Sequence, residues 1–416
     1  MKIYKFGGAS VKDANGIKNL VNILQLLGKD KILIVVSAMG KTTNSLELVV
    51  KNYFENNEEL QFSINEVLDY HLNILDDLFH ENNHPVYFET KEIIENLKIF
   101  LKRNKSPNYS FVYDQVVSFG EILSTKIISA YLNYINIESN WVDARLFIKT
   151  DSKFRDANLK WELTQKNITD KIDNSLLNIT QGFISSDENN FTTTLGREGS
   201  DYSAAIFAYC LNAESVTIWK DVPGVLNADP RVFKNPRLLN KISYTEAIEL
   251  AFYGASVIHP KTLQPLQKKE IPLYVKSFLD PEGSGTAISR GTKIDPETPC
   301  FIVKRNLSLI KLSSLDFSFI VEDNISDIFQ ILHENKMKVD LIQNSAISFS
   351  VCVFDKYHRL KELLSILKAR YKVDCKENVS LFTIRHFDQN SSKEILKSNK
   401  LLLEQRTKET LQLVVC

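Results

Sequence analysis

The sequence predicts an α/β protein, a mostly parallel sheet followed by a ferredoxin-like α+β region. Three observations carry this. Short apolar runs at 2–6 and 31–36 each pass into a small-residue loop, Gly7-Gly8-Ala9-Ser10 and Ser37-Ala38-Met39-Gly40, and then into helical spacing. That order of elements builds parallel sheets. A stretch at 281–299 rich in Gly, Pro, Ser and Thr marks a domain boundary. Beyond it the elements read βαββαβ, the order of a ferredoxin-like unit. The expected domains are therefore 1–290, with a helical insertion at about 46–110, and 300–416 with an abbreviated second unit at its end.

Taken in order, Ile17, Leu20, Val21, Leu24 and Leu27 recur at helical spacing behind the first loop, and Gly28 offers a stop. Helical periodicity resumes at Thr43. From Leu46 to Leu101 the chain is charged, Asn-rich and without strand signal, hence the insertion. Ser118-Phe119-Gly120-Glu121 is expected to open a helix over 122–132, and 141–144, 178–184, 215–219 and 273–278 read as strands. Helices are expected after Asp201 and after Ser243, the latter with a capping box to Glu246 and a stop at Gly254. The C-terminal region reads as strands at 301–311, 337–342, 346–354, 371–375 and 379–386, with helices at 326–334 and 357–370. A helix at 392–398 and a hairpin-like end at 401–416 complete it.

Lys+Arg and Asp+Glu both number 51 in the 416 residues. A net charge of zero argues against nucleic acid or an anionic membrane as the main partner. The five cysteines are scattered, odd in number and without a Cys-x-x-Cys pair, which suits a reducing cytoplasm better than a disulfide framework or zinc knuckle. The N-terminus has no signal-like apolar region and no apolar run is long enough to span a bilayer. The expectation is a cytoplasmic protein.

Several short motifs carry possible chemistry. Lys5-Phe6-Gly7-Gly8 places a cation at a strand end beside two residues without Cβ, a sensible phosphoryl-transfer site or simply a tight turn. Phe191 to Ala205, FTTTLGREGSDYSAA, sets Arg197 between glycines' reach and Ser200-Asp201 at a helix N-terminus, which favours anions; Arg197 suits a carboxylate. The plain alternative is a capped helix with a surface arginine. Glu121, read at a helix start, serves either the helix dipole or a substrate ammonium. Lys220-Asp221-Val222-Pro223-Gly224, continuing to Arg231, is either a Pro-Gly turn or a loop bracing a nucleotide. Gly40-Lys41-Thr42 resembles the end of a P-loop, but Val35 stands where the first glycine belongs. His80 to His84 spells H-E-x-x-H, yet Pro85 follows at once and disfavours a continuing helix, so no residue is assigned as a metal ligand.

Together and in order, these blocks resemble aspartokinase, of the amino acid kinase family. The matching stretches are KFGGAS (5–10), SAMGKTTN (37–44), SFGE (118–121), GFISSD (182–187), TTTLGREGSDYSA (192–204), KDVPGVLNADPR (220–231) and FYGASVIHPKT (252–262). The C-terminal region resembles the ACT-type regulatory part of the same enzymes. The resemblance implies a three-layer αβα kinase domain that uses MgATP to phosphorylate the side-chain carboxylate of L-aspartate. That reaction opens lysine, threonine and methionine biosynthesis. It also implies roles. Lys5 contacts the phosphates, with Asp201 orienting it. Gly7, Gly8 and Ser10 line the phosphate loop, with Ser37 close by. Thr43, Glu121, Arg197 and Ser200 hold aspartate, Glu121 through its ammonium and Arg197 through its α-carboxylate. Lys220, Asp221 and Arg231 serve the nucleotide.

The chain departs from the family at Glu198, where a small residue is usual, at Ser256, where many relatives have lysine, and at Leu226, often aromatic. The segment 315–326 lacks the glycine of effector-binding ACT loops. The expectation is a homodimer through the C-terminal region with weak or absent feedback by lysine or threonine. A non-catalytic sensor on the same fold, and a kinase for another amino acid, stand as alternatives.

Overall fold

The computed structural model describes all residues except Lys29, Asp30, Asn82, Asn174, Ser256, Val257 and Phe317. Two units emerge. The first comprises 1–225, 238–248 and 257–296, and the second 226–237, 249–256 and 297–416.

The first unit is built on strands β1 (Lys2–Phe6), β2 (Ile32–Val36), β3 (Asn140–Val142), β4 (Asn178–Gln181), β5 (Ile184–Ser186), β6 (Thr192–Thr194), β7 (Ser215–Lys220), β8 (Lys241–Ser243), β9 (Leu273–Ser277) and β10 (Thr286–Ser289). Eight of these form one sheet in the order β3-β4-β2-β1-β7-β9-β10-β8. Every neighbouring pair is parallel except β9 with β10. β2 is buried at every residue, as a strand covered on both faces must be. β1 lies between β2 and β7, so the loops leaving these three strands meet at one carboxyl edge, where open α/β sheets place their ligands. β5 and β6 form a separate antiparallel pair.

The helices of this unit are α1 (Ala14–Leu27), α2 (Thr42–Phe54), α3 (Leu60–Leu78), α4 (Pro85–Arg103), α5 (Tyr109–Tyr134), α6 (Ala144–Phe147), α7 (Trp161–Lys171) and α8 (Gly199–Leu211), then α9 (Tyr244–Tyr253), which runs into the second unit, and α10 (Pro260–Lys268). α1 starts where Asp13 accepts the Gly16 N–H at 2.8 Å and stops at Gly28, φ 87°, the left-handed terminus that glycine favours. The expected insertion is α2 to α4, whose apolar stripes bury Leu46, Val49, Val67, Leu97 and Leu101 against α5. His84 does not continue α3. It caps α4, its Nδ1 accepting the Val86 N–H, with Pro85 as the first helical residue.

Two expectations change here. SFGE does not open a helix but lies inside α5, a helix of 26 residues capped by Asn108, whose side chain accepts the Phe111 N–H. Gly120 is interior because α2 approaches it. A Cβ there would lie 3.1 Å from Ala38 Cβ and Thr42 Cγ2. The expected strand 178–184 is two strands, broken at Gly182 and at Phe183, φ 70°.

The second unit has β11 (Cys300–Ser313), α11 (Glu322–Glu334), β12 (Lys338–Asn344), β13 (Ser348–Phe354), α12 (Leu360–Lys368), β14 (Lys372–Arg385), α13 (Lys393–Ser398), β15 (Leu401–Arg406) and β16 (Thr410–Val415). Its antiparallel sheet runs β12-β13-β11-β14-β16-β15, and the first four strands with α11 and α12 have ferredoxin-like order. The two strands expected at 371–375 and 379–386 are one strand, β14, because β11 pairs with it along its whole length. The tail hairpin β15-β16 extends the sheet from β14. The segment 226–237, expected in the first domain, joins this unit: the Phe301 N–H donates to the Asn227 carbonyl at 2.7 Å, and Ala228 bridges Phe301.

Candidate active site

At the carboxyl edge of β2, β1 and β7 lies a cleft of about 280 Å³. β1 supplies Lys5, its end register-matched to β7 so that Phe6 faces Trp219. β7 supplies Lys220 as its last residue, the loop after β2 supplies Ser37, and the first turn of α2 supplies Thr43. Glu121 enters from the middle of α5. The turn into α8 adds Gly196, Glu198, Gly199, Ser200 and Asp201. The first turn of α8 brings a positive helix end to this cleft, with the Gly199 N–H donating to the Gly196 carbonyl and the Asp201 N–H to the Glu198 carbonyl, both at 3.0 Å.

That turn is held by close approach. A Cβ on Gly182 would lie 2.5 Å from Ser200 Cβ, and one on Gly199 2.7 Å from Phe183 Cδ2. The Phe183 N–H donates to Ser203 Oγ at 3.0 Å. The end of β4 is thereby pressed against the start of α8.

Charge in the cleft is divided. Asp201 stands between two ammonium groups, with Lys5 Nζ at 2.6 Å from Oδ1 and Lys220 Nζ at 3.5 Å from Oδ2. Burial works to raise its carboxyl, but the two lysines prevail and hold it below the ordinary carboxylate range. Glu121 is in the opposite condition. Burial pushes its carboxyl up to about 8, against backbone N–H groups including that of Ala38, 3.4 Å from Oε1. Its Oε2 is buried without a hydrogen-bond partner, and such an acceptor calls for a ligand donor. Glu198 likewise has a buried, unpartnered Oε2. It holds φ 54° at the N-terminus of α8.

Of the residues singled out in the sequence, Lys5, Ser37, Thr43, Glu121, Ser200, Asp201 and Lys220 line this one cleft. The others do not line it. Gly7 sits beside the Lys5 ammonium, a Cβ there lying 3.4 Å from Nζ. Gly8 is pressed on the Ala38 carbonyl, 2.6 Å from the place of a Cβ. Ser10 is buried and donates its hydroxyl to the Trp219 carbonyl at 3.4 Å, so it ties β1 to β7. Arg197 is exposed, between Gly196 and Glu198. Asp221 is exposed beside Lys220, and Arg231 belongs to the second unit, its guanidinium forked onto Asp229. Ser256 lies outside the described residues. Phe183 and Glu198 line the cleft without having been assigned a place in it. The signal for Phe183 was its position after a glycine at a strand end. For Glu198 it was a bulky acid between Arg197 and Gly199.

Residues 1–277 match the family model described as Amino acid kinase family. The chain belongs to the amino acid kinase family. Within the family its curated relatives include Lysine-sensitive aspartokinase 3 of Escherichia coli (strain K12), 32% identical over 353 residues, spanning 84% of this chain and 77% of that protein. This places the chain among the aspartokinases. Bifunctional aspartokinase/homoserine dehydrogenase 1, chloroplastic, of Arabidopsis thaliana is 29% identical over 89% of the chain, which spans 42% of that longer protein. Among solved structures, E. coli aspartokinase III in complex with aspartate and ADP (R-state) superposes with a TM-score of 0.81 at 28% identity, covering 100% of this chain and 96% of that one. The amino acid kinase part and the C-terminal unit are thus both within the span of the matched fold.

Proposed function

We infer that this chain is an ATP-dependent aspartate kinase, transferring the γ-phosphoryl group of ATP to the side-chain carboxylate of L-aspartate to give 4-phospho-L-aspartate and ADP. The cleft carries the reading: two ammonium groups joined through Asp201 face the same space as the buried, unpartnered Glu121. The cations suit phosphate oxygens that gain charge in transfer, and the carboxylate suits a substrate ammonium. One carboxylate oxygen of aspartate attacks the γ-phosphorus, and the bond to the bridging oxygen breaks, ADP keeping the electron pair. The acceptor has no proton to lose, so positioning and charge neutralisation do the work rather than a base.

Each residue then has a task. Asp201 holds Lys5 and Lys220 toward the phosphates. Glu121 accepts the ammonium of aspartate, and Arg197 takes its α-carboxylate by two parallel hydrogen bonds. Thr43 and Ser200 fix the substrate laterally, Gly7 and Gly8 keep the approach to Lys5 open, and Ser37 meets the phosphates. Asp221 and Arg231 are assigned to the nucleotide on their motif alone. Magnesium enters with ATP as part of the substrate. Among the described residues no group of three or more His, Cys, Asp or Glu is arranged to hold a metal, and a hard cation held by phosphate oxygens and water needs no such cage.

The reaction would open the pathway to lysine, threonine and methionine. No helix among the described residues is long and apolar enough to cross a membrane, and we place the enzyme in the cytoplasm. Its ferredoxin-like unit is assigned to ACT-type regulation and homodimer formation, with weak or absent feedback by lysine or threonine. Glu198 favours a second reading, a sensor that keeps the fold, since a carboxylate in the cleft opposes anionic substrates.

The deciding experiment is ADP release from purified protein with MgATP, with and without L-aspartate and against a panel of other amino acids, alongside Lys5→Ala and Glu198→Gly. Aspartate-dependent release lost in Lys5→Ala is expected. Release with another amino acid instead, or release only in Glu198→Gly, would overturn the reading.

A further inference from the structure

The free edge of β6 is closed by side chains of α5. β6 pairs with β5 on one side, where Thr193 faces Ser185. On its other side Thr192 meets Gln115, whose Nε2 donates to the Thr192 carbonyl at 2.7 Å while Oε1 accepts the Thr192 N–H at 3.2 Å. The next outward residue, Thr194, meets Asp114. Its N–H donates to Oδ2 at 2.9 Å and its hydroxyl to Oδ1 at 2.8 Å. Asp114 Oδ2 also accepts the Arg155 N–H at 2.9 Å, and the Ala157 N–H donates to the Thr194 carbonyl at 3.0 Å. Every main-chain group on that edge of β6 at Thr192 and Thr194 is thereby satisfied.

These bonds lead to the cleft. β6 continues through Leu195 into the turn Gly196 to Asp201. The 155–156 segment, held by the same carboxylate, closes on the turn from the other side: a Cβ on Gly196 would lie 2.6 Å from Asp156 Oδ1 and 3.3 Å from the Arg155 carbonyl. Asp114 and Glu121 are two helical turns apart and share a face of α5, about 10 Å along one rigid rod. Asp114 is fully buried. Burial raises its carboxyl to about 6, opposed by the Arg155 and Thr194 N–H groups, so it is ionised at neutral pH and accepts all three bonds.

We propose that Asp114 is a positioning residue that sets the distance between Glu121, which receives the substrate ammonium, and the Arg197-bearing turn, which receives the α-carboxylate. It touches no substrate. The proposal rests on the aspartate kinase reading and extends it to how the two ends of the amino acid are spaced. Lys5 and Lys220 stand on strands paired on both sides in the sheet, so the clip reaches the nucleotide side only indirectly, through Asp201 and through the Ser124 hydroxyl of α5, which donates to the Ser37 carbonyl at 2.8 Å.

The test compares Asp114→Ala and Asp114→Asn with the parent in the full chain. Asparagine can turn its carbonyl oxygen to the two N–H groups and its amide to the Thr194 hydroxyl, so it keeps the clip; alanine cannot. Asp114→Ala is expected to raise KM for aspartate about tenfold or more with KM for MgATP within about twofold, and Asp114→Asn to restore aspartate KM to within about threefold of the parent. Amide exchange at 194–201 should quicken in Asp114→Ala and not in Asp114→Asn. Unchanged aspartate KM in Asp114→Ala, or equal rises in both KM values in both variants, overturns the proposal. Should Asp114→Ala fail to fold, Gln115→Ala takes its place with the same expected split. A parent that releases no ADP with aspartate overturns the functional reading instead, while the exchange measurement still reports whether Asp114 holds the turn.

Discussion

Lys5 Nζ lies 2.6 Å from Asp201 Oδ1, and both side chains are less than a tenth exposed. The pair is not isolated, since Lys220 reaches the other oxygen of the same carboxylate. Removing either end therefore has unequal results.

Lys5→Ala leaves Asp201 with a counter-ion, whereas Asp201→Ala leaves two ammonium groups facing each other. We expect Lys5→Ala to lower kcat at least about a hundredfold with a small change in stability. Asp201→Ala should cost about 3–5 kcal/mol of stability as well as activity. Urea titration of the ligand-free variants distinguishes them; equal destabilisation would show that Lys220 does not hold Asp201.

Glu121 titrates near 8 in the folded chain and near 4.5 when exposed. The native state binds the proton more tightly, so the stability this carboxyl contributes is complete below pH 4.5 and is lost as pH rises through 8. Glu121→Gln, always neutral, escapes that loss. Its advantage over the parent should grow between pH 4.5 and 8 by on the order of 4 kcal/mol at most. Denaturant titrations at pH 5 and pH 8.5 measure it. Aspartate binding at neutral pH should also release a proton in the parent, seen as a binding heat that varies with buffer ionisation enthalpy, and a heat independent of buffer would count against ionisation of Glu121 by the ligand.

His71 is fully buried in α3, its Nδ1 2.7 Å from the Val67 carbonyl and its Nε2 without a partner. Burial lowers its pKa to about 4, opposed by that carbonyl. Here the unfolded chain binds the proton more tightly. Stability is complete above pH 6.5 and falls as pH drops toward 4. His71→Leu should keep most of the neutral stability and flatten that acid limb by up to about 3 kcal/mol. Melting curves from pH 7 to pH 4 provide the check, and parallel curves for parent and variant would exclude His71 as the source.

Glu198→Gly removes a carboxylate from an anion site and a left-handed backbone conformation that costs a non-glycine residue about 1 kcal/mol. The freedom glycine gains when unfolded offsets that relief, so stability should change by less than about 1 kcal/mol. KM for aspartate and MgATP should both fall, by about threefold to tenfold. A rise in either would mean that Glu198 holds substrate.

Local patterning carried the central strands of the parallel sheet and the residues at their ends. Lys5, Ser37 and Lys220 were legible because a short apolar run followed by small residues is a local signal, and parallel strands then bring their carboxyl ends together. The ferredoxin-like order of the C-terminal unit was legible for the same reason. Contacts between distant segments were not. Gly120 reads as a helix start because glycine is a poor interior residue, yet it lies inside α5, where only a residue without Cβ lets α2 approach. Ser10, expected in the phosphate loop, also donates its hydroxyl to the Trp219 carbonyl, 209 positions away, a tie between β1 and β7 that no local pattern records. Asp114 and Gln115 look like polar residues of an ordinary helix, and they become the missing neighbour of β6 only once α5 lies along it. Local periodicity records which face of an element is buried. What covers that face, and which polar groups are left for a ligand, is decided by partners far along the chain, and such pairings leave no periodic trace in a single sequence.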